Sequence, residues 1–271
     1  MLGIGIVTYN RIERLREVID AVLRNTAHPY CLMVADDGSS DGTVEYVIKK
    51  KVPVVGRINK GIAWNKNRAL YTLRNYAGAE NIIILEDDTL PNTFGWEQHW
   101  LEAARKSGYS TYAHPKMRDQ IIAGSGTVED PYACIGITSQ CSVVSMCALD
   151  TVGYFDTRFK GYGVEDGEWS TRLRGSGFGT VKVPKEDGNY IKANVMIDGG
   201  VHTLDVASYR NNDEVTKNRD VFKAVRNDPI PRNAWQNDTE KDDLLAEIES
   251  GLIITPLFVR SIGERGQLIG P

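Results

Sequence analysis

The chain has 271 residues, 41% of them hydrophobic and 25% charged, which is ordinary globular usage and enough to bury a sizeable core in one large domain or one domain plus an appendage. A formal net charge of −4 argues against the uniformly basic surface of a general nucleic-acid binder. Apolar runs are far shorter than a bilayer requires: Ile82–Leu85 is brief, and Gly251–Val259 is interrupted by Pro256.

Gly3–Val7 is a short apolar run with β-branched residues, closed by the polar turn Thr8–Arg11, and reads as a buried strand rather than as a leader segment. Ile12, Leu15, Val18, Ile19, Val22 and Leu23 then recur at helical spacing. Cys31–Ala35 predicts a second strand, which runs into Asp36-Asp37-Gly38-Ser39-Ser40-Asp41-Gly42. Thr43–Lys50 predicts a helix, Val52–Gly56 a strand, Ile62–Tyr76 a helix, and Asn81–Leu85 a strand that ends in Glu86-Asp87-Asp88. Strands alternating with helices imply an α/β fold with a mostly parallel sheet, whose ligand crevice lies beyond the carboxyl ends of the strands. The polar clusters Thr8–Asn10, Asp36–Asp41 and Glu86–Asp88 each follow a predicted strand, so they are expected to converge on one edge.

Trp96 and Trp100 stand at helical spacing and read as packing residues. The second half is less regular, with strands expected at Tyr132–Ile137, Cys141–Ala148, Phe178–Val183 and Asn194–Ile197. Helices are expected at Val164–Arg174, Asp213–Val225 and Thr239–Ser250, and Asn227–Asn237, with Pro229 and Pro231, reads as a linker or extended arm. Cys31, Cys134, Cys141 and Cys147 show no paired zinc-type spacing; three of them lie in apolar, strand-like surroundings and read as free thiols of a cytoplasmic protein.

Clustered carboxylates repel one another unless a cation compensates, so Glu86-Asp87-Asp88 is either a solvated acidic turn or a site for Mg²⁺ or Mn²⁺ beside nucleotide phosphates. Among the histidines, His202 in Gly199-Gly200-Val201-His202-Thr203 is the best additional ligand candidate; His28 and His99 lack such a context, and His114 is ambiguous. At Asp36–Thr43 a carboxylate, Asp37, can accept from the imide N–H of a base while Asp41 caps the following helix. Asn59-Lys60-Gly61 and Asn65-Lys66-Asn67-Arg68 read either as a pyrophosphate-binding helix entrance or as an exposed helix face. Glu165 and Asp166 fall in the expected first turn of a helix, where acids are favoured by the dipole; alternatively Asp166 deprotonates an acceptor hydroxyl and Glu165 hydrogen-bonds the acceptor.

The ordered set Val7-Thr8-Tyr9-Asn10-Arg11, Asp36–Thr43, Asn59-Lys60-Gly61, Leu85-Glu86-Asp87-Asp88, Val152–Asp156, Gly163-Val164-Glu165-Asp166 and Arg172-Leu173-Arg174 resembles the GT-A-fold glycosyltransferases, in particular the inverting family-2-like enzymes, over residues 3 to 205. The resemblance implies a metal-dependent transfer of sugar from a nucleotide-sugar, a UDP-sugar in the first instance, to an acceptor hydroxyl. It implies donor contacts from Thr8, Tyr9, Asn10, Arg11, Asp37, Gly61, Lys66, Arg68, Glu86 and Asp87, metal ligation by Asp88 and His202, and Asp166 as base beside Glu165.

The chain departs from the family pattern in three places. Glu86 replaces the first acid of the DxD-type motif, Asn65-Lys66-Asn67 replaces the usual Ala-Arg-Asn, and Glu168 fills the place of a further acid after the base. The expected organisation is a GT-A domain over 1–205, with a nucleotide-binding half to about 115 and an acceptor half from about 116, followed by a C-terminal helical extension over 206–271. That extension is a candidate surface for a homo-oligomer. The acceptor, whether glycan, lipid-linked sugar, protein or modified nucleic acid, is left open by the residues around Pro115–Pro131 and beyond Asp205. The alternative readings are a nucleotidyltransferase of related fold, disfavoured because Thr8–Arg11 replaces a Gly-rich basic loop, and a non-catalytic nucleotide-sugar-binding module.

Overall fold

A computed structural model of the chain describes residues 1–56, 58–204, 211–262 and 268–269. The first half alternates as the periodicity predicts. Strand β1 (Leu2–Thr8) leads to helix α1 (Ile12–Asn25), β2 (Tyr30–Asp36), α2 (Thr43–Lys49), β3 (Val54–Val55), α3 (Ile62–Asn75) and β4 (Asn81–Glu86). β3, β2, β1 and β4 lie side by side and parallel. β1 and β2 are buried along their whole length, as expected for central strands covered on both faces.

The remaining elements are β5 (Thr89–Pro91), α4 (Glu97–Ser107), β6 (Tyr109–Tyr112), a 3-10 turn at Pro115–Gln120, β7 (Ile121–Ala123), β8 (Tyr132–Cys134), β9 (Cys141–Ser145), α5 (Met146–Val152) and α6 (Glu165–Gly175). They continue with β10 (Thr180–Pro184), β11 (Tyr190–Ile197), β12 (Val201–Thr203), α7 (Asn212–Val225), α8 (Asp238–Ile254), β13 (Val259–Ile262) and β14 (Leu268–Ile269). The sheet order is β14-β13-β2-β1-β4-β9-β6-β11-β8-β7, with β3 beside β2, β10 beside β11, and a separate β12-β5 ribbon. β9 enters antiparallel between β4 and β6, which ends the continuous parallel run of the first half, although β11 again lies parallel to β6. The strand expected over Cys141–Ala148 stops at Ser145, whose hydroxyl accepts from the Ala148 amide and starts α5.

Two apolar layers sandwich the sheet. On one face Leu15, Val18, Ile19 and Val22 of α1 and Trp100 of α4, with Trp96 just before it, pack on Leu2, Ile4 and Ile6 of β1. On the other, Ala69, Leu70 and Leu73 of α3, Trp169 and Leu173 of α6, and Leu244 and Ile248 of α8 surround Met33 and Ile84. α3 lies especially close to β1, because a Cβ on Gly5 would come within 2.8 Å of the Ala69 Cβ. Only glycine permits that approach.

The C-terminal segment is built into this core. Leu244, Ile248 and Gly251 of α8 are buried, and β13 pairs with β2 at Cys31 and Tyr30, on the edge that β3 takes at Val34 and Ala35. Asn227–Asn237, read from sequence as a linker or extended arm, is anchored at two points along an otherwise largely exposed course: Arg232 is buried and donates to Asp156 Oδ2 at 3.1 Å, and Ala234 has no exposed surface. Its prolines and polar residues look loose in the sequence, but Arg232 finds its counter-ion across the fold. The expected boundary at residue 205 lies outside the described residues. Cys31, Cys134 and Cys141 are buried free thiols, and Cys147 is an exposed one.

Candidate active site

The strand ends meet as topology requires. Thr8 is in register with Asp36 on one side, and Val7 with Glu86 on the other. Beyond them lies a cavity of about 600 Å³ lined by Thr8, Tyr9, Asn10, Arg11, Asp37, Asn59, Gly61, Glu86, Asp87 and Asp88, and closed by Gly161, Tyr162 and Glu214. All three predicted polar clusters therefore face one space, whose size suits a nucleotide-like ligand.

The base-side wall is a loop fastened by its own polar groups. Asp36 accepts from the amides of Gly38 and Ser39 at 3.1 and 2.9 Å, and Asn10 Oδ1 accepts from the Ser40 amide at 2.8 Å. Asp41 bonds the starts of two helices, taking the Ile12 amide at 2.9 Å and the Thr43 amide at 3.2 Å. The residue directly before α2 is Gly42, in the left-handed region. Asp37 accepts from the Lys60 amide at 2.9 Å, the Gly61 amide at 3.0 Å and Arg68 at 2.9 Å. Burial raises its carboxyl pKa, against the pull of those donors. A carboxylate has about four acceptor positions, so Asp37 retains room for one more donor from the cavity.

Helix α3 departs most from its sequence reading. Asn65, Lys66, Asn67 and Arg68 are not an exposed face; all four are buried, each fastens a different wall, and of the four only Asn65 lines the cavity. Asn65 Nδ2 donates to Ala35 O at 2.9 Å, and Asn67 exchanges bonds of 2.8 and 2.9 Å with the Phe155 backbone. Arg68 has no exposed surface, is held by Asp37 and by Glu247 of α8, and does not line the cavity. Lys66 donates to Ser139 at 2.9 Å and to Asp166 at 2.7 Å, with Glu86 at 3.4 Å and Glu165 at 3.8 Å. Its ammonium, too, is committed to side chains rather than free for a phosphate. Burial opposes the Lys66 charge, but Asp166, Glu86 and Glu165 together hold its pKa above the usual lysine range.

The acids around it divide into two sets. Glu86 is pushed up to about 7 and Asp87 up to about 6, in both cases mainly by burial; Lys66 opposes the first shift and Arg11 the second. Asp87 accepts from the Thr8 hydroxyl at 2.8 Å and from Arg11 at 3.1 Å, and Arg11 also approaches Asp88 at 3.6 Å. Glu165, on the first turn of α6, is pushed up to about 8 by burial and by the neighbouring Asp166, against Lys66. Its Oε2 is buried with no hydrogen-bond partner. Glu168, the further acid of the sequence reading, is instead paired fork-to-fork with Arg172 at 2.8 Å and 2.8 Å, well inside the protein.

The turn before α6 is strained. Val164 has φ +77°, a left-handed value that a β-branched residue adopts only when its surroundings impose it. Those surroundings are on α7: Asn218 Nδ2 reaches the carbonyls of Lys160 at 3.0 Å and Gly163 at 2.9 Å, and Glu214 accepts from the Tyr162 amide at 2.9 Å. Gly161 presses on Gly61, where an added Cβ would sit 2.6 Å from the Gly161 nitrogen. The donor-side and acid-side loops thus touch backbone to backbone.

Among the described residues, no three His, Cys, Asp or Glu side chains are arranged to hold a metal ion unaided. Asp88, whose carboxylate offers hard oxygen atoms, lines the cavity, and His202 is exposed on β12 opposite Leu90, beside the strand position where the Leu204 amide donates to Asp88 O at 2.7 Å. Of the two, Asp88 alone lines the cavity, so a divalent cation there would have to take most of its ligands from a diphosphate and water.

Residues 4–121 match the family described as Glycosyl transferase family 2. That match covers less than half of the chain, whose mixed α/β architecture is that of the GT-A fold. No curated protein matches it in sequence. Among solved structures it is similar in fold to the mannosyltransferase PcManGT from Pyrobaculum calidifontis in complex with GDP-Man and Mn²⁺, at 16% identity and TM-score 0.58, covering 94% of this chain and 72% of that one. It is also similar to S. aureus TarS 1-349 in complex with UDP-GlcNAc, at 14% identity and TM-score 0.53, covering 93% of this chain and 72% of that one. Against the longer S. aureus TarS chain, at 16% identity and TM-score 0.52, the match covers 93% of this chain and 43% of the other.

Three residues of this cavity escaped the sequence reading. Gln140 carries no local signal, and Tyr162 and Glu214 reach the cavity only because α7 folds back over the loop before α6. Among the described residues, no helix is long and apolar enough to cross a membrane.

Proposed function

We propose that this protein is a glycosyltransferase that moves a sugar from a UDP-sugar to an acceptor hydroxyl, with inversion at the anomeric carbon and with dependence on Mn²⁺ or Mg²⁺. The observation that carries the reading is that the three strand-end clusters line one cavity while Asp166, on a separate helix, is tied to Glu86 of that cavity through Lys66. Thr8, Tyr9, Asn10, Arg11, Asp37 and Gly61 would hold the nucleotide, with Asp37 accepting from the imide of the base. Arg11, the cation that lines the cavity beside Asp87, is better placed for the diphosphate than Lys66 or Arg68.

Asp88 and His202 would hold the cation, which when bound supplies positive charge to the departing diphosphate. Asp166 takes the proton of the acceptor hydroxyl as its oxygen attacks the anomeric carbon. Lys66, 2.7 Å from Asp166 Oδ1, orients the carboxylate, so that Oδ2 can face the acceptor. Glu165 would hydrogen-bond the acceptor, and its unpartnered Oε2 leaves capacity to do so. The Mn²⁺-containing GDP-Man complex of the mannosyltransferase and the UDP-GlcNAc complex of TarS support this class of donor.

The test is release of UDP from a panel of UDP-sugars with Mn²⁺, with and without chelator, followed by assignment of product anomeric configuration by NMR. Release only from GDP-sugars would refute the UDP assignment. Chelator-insensitive turnover would refute the metal dependence, and retention of configuration would refute the single displacement.

A further inference from the structure

Resting on this donor-site reading, we infer that Glu247 of α8 is a positioning residue for donor binding, acting through Arg68 and Asp37 on the loop at Ile58–Gly61. Glu247 is buried and does not line the donor cavity. Its Oε2 accepts from Arg68 Nε at 2.7 Å and its Oε1 from Arg68 NH2 at 3.2 Å, a fork-to-fork pair that fixes the guanidinium plane. The far side of the same plane donates to Asp37 Oδ1 at 2.9 Å and to the Ile58 carbonyl at 2.9 Å. Asp37 in turn receives the Lys60 and Gly61 amides. A rigid cation therefore sits between two carboxylates, one on the cavity wall and one on the C-terminal helix.

Three further contacts make this a device rather than a stray ion pair. Glu247 Oε2 also accepts from the Trp64 indole at 3.2 Å, which fixes the carboxylate from a second direction. Lys60 Nζ donates to Asp243 of α8 at 2.8 Å and lies 3.8 Å from Glu247, so the same loop is tied to α8 from its outer side. Gly61 leaves no slack at the other end, because its backbone is pressed on Gly161. A shift of Arg68 must consequently move Asp37, the wall of the nucleotide cavity, or both. The helix that carries Glu247 is in turn held at Gly251, where a Cβ would meet the Val54 carbonyl at 2.3 Å.

The test uses Glu247→Gln in the full chain, which keeps the side-chain volume but turns an amide NH2 toward Arg68 donors. Amide hydrogen exchange at Lys60 and Gly61 should speed by about tenfold, the effect of weakening a charge-assisted bond, while β4 amides stay at wild-type rates. With UDP and Mn²⁺ the dissociation constant, and with a UDP-sugar the donor KM, should rise about tenfold, with kcat at saturating donor within about twofold of wild type. Glu247→Asp, which keeps the charge on a shorter arm, should fall between the two and serves if Glu247→Gln does not fold. A folded variant with wild-type exchange at Lys60 and Gly61 overturns the inference, as does an unchanged donor KM or an equal loss in kcat. If wild type binds neither UDP nor GDP, the donor-site reading fails, and the exchange measurement still decides whether Glu247 positions the loop.

Discussion

Glu165→Gln is expected to make the protein more stable at alkaline pH. Glu165 is 3% exposed, faces Lys66 at 3.8 Å, and leaves Oε2 without a partner. Burial, then repulsion from Asp166, push it from 4.5 to about 8, although Lys66 pulls the other way and Glu86 adds further repulsion. The folded state therefore holds a proton that the unfolded chain has released, and the stability this confers is full below about 4.5 and lost as pH rises through about 8. At about 1.4 kcal/mol per unit, the whole shift corresponds to at most about 5 kcal/mol. Glutamine keeps the shape and never ionises, so the variant should match wild type near pH 5 and exceed it by pH 9. Even 2 kcal/mol would raise Tm by about 4–8 °C in a domain of this size. The assay is thermal melting of both proteins, monitored by circular dichroism from pH 5 to 9. Parallel Tm profiles would show that Glu165 does not take up a proton on folding, and the account of the Lys66 cluster would fail with it.

Asp166→Asn should lower turnover by about 10² to 10⁴-fold, the usual contribution of a general base, while UDP affinity measured by calorimetry changes little; wild-type turnover would remove Asp166 from the mechanism. Asp88→Ala should weaken UDP binding in Mn²⁺ and leave binding in chelator unchanged, and equal affinities with Mn²⁺ would count against Asp88 as a ligand. Asn218→Ala leaves the carbonyls of Lys160, Tyr162 and Gly163 short of a donor and the strained Val164 turn unsupported. It should cost about 1–3 kcal/mol in stability by denaturant melting and lower kcat more than donor KM, and unchanged stability would contradict the clamp.

The parallel half of the fold could be read in the sequence because its signals are local. Runs such as Gly3–Val7 and Asn81–Leu85 have no polar interruption, and α1 repeats its apolar residues every three or four positions. Once strands and helices alternate, chain connectivity alone brings Thr8, Asp37 and Asp87 to one edge, and the structure places them around one cavity. The irregular half gave weaker signals: β9 and α5 lie in one apolar stretch, Cys141–Ala148, whose division depends on the Ser145 cap.

Local patterns along the chain were enough for the order of elements and for the acids at the strand ends. The destination of the charges of α3 depended on packing between distant segments. Asn65-Lys66-Asn67-Arg68 has the composition of a solvated helix face, and nothing local distinguishes that from a helix buried on every side. The difference lies in partners remote in the chain: Asp166 for Lys66, Phe155 for Asn67, and Glu247 for Arg68. A buried charge is tolerated only where an opposite charge and hydrogen bonds meet it, and the fold alone brings those groups together.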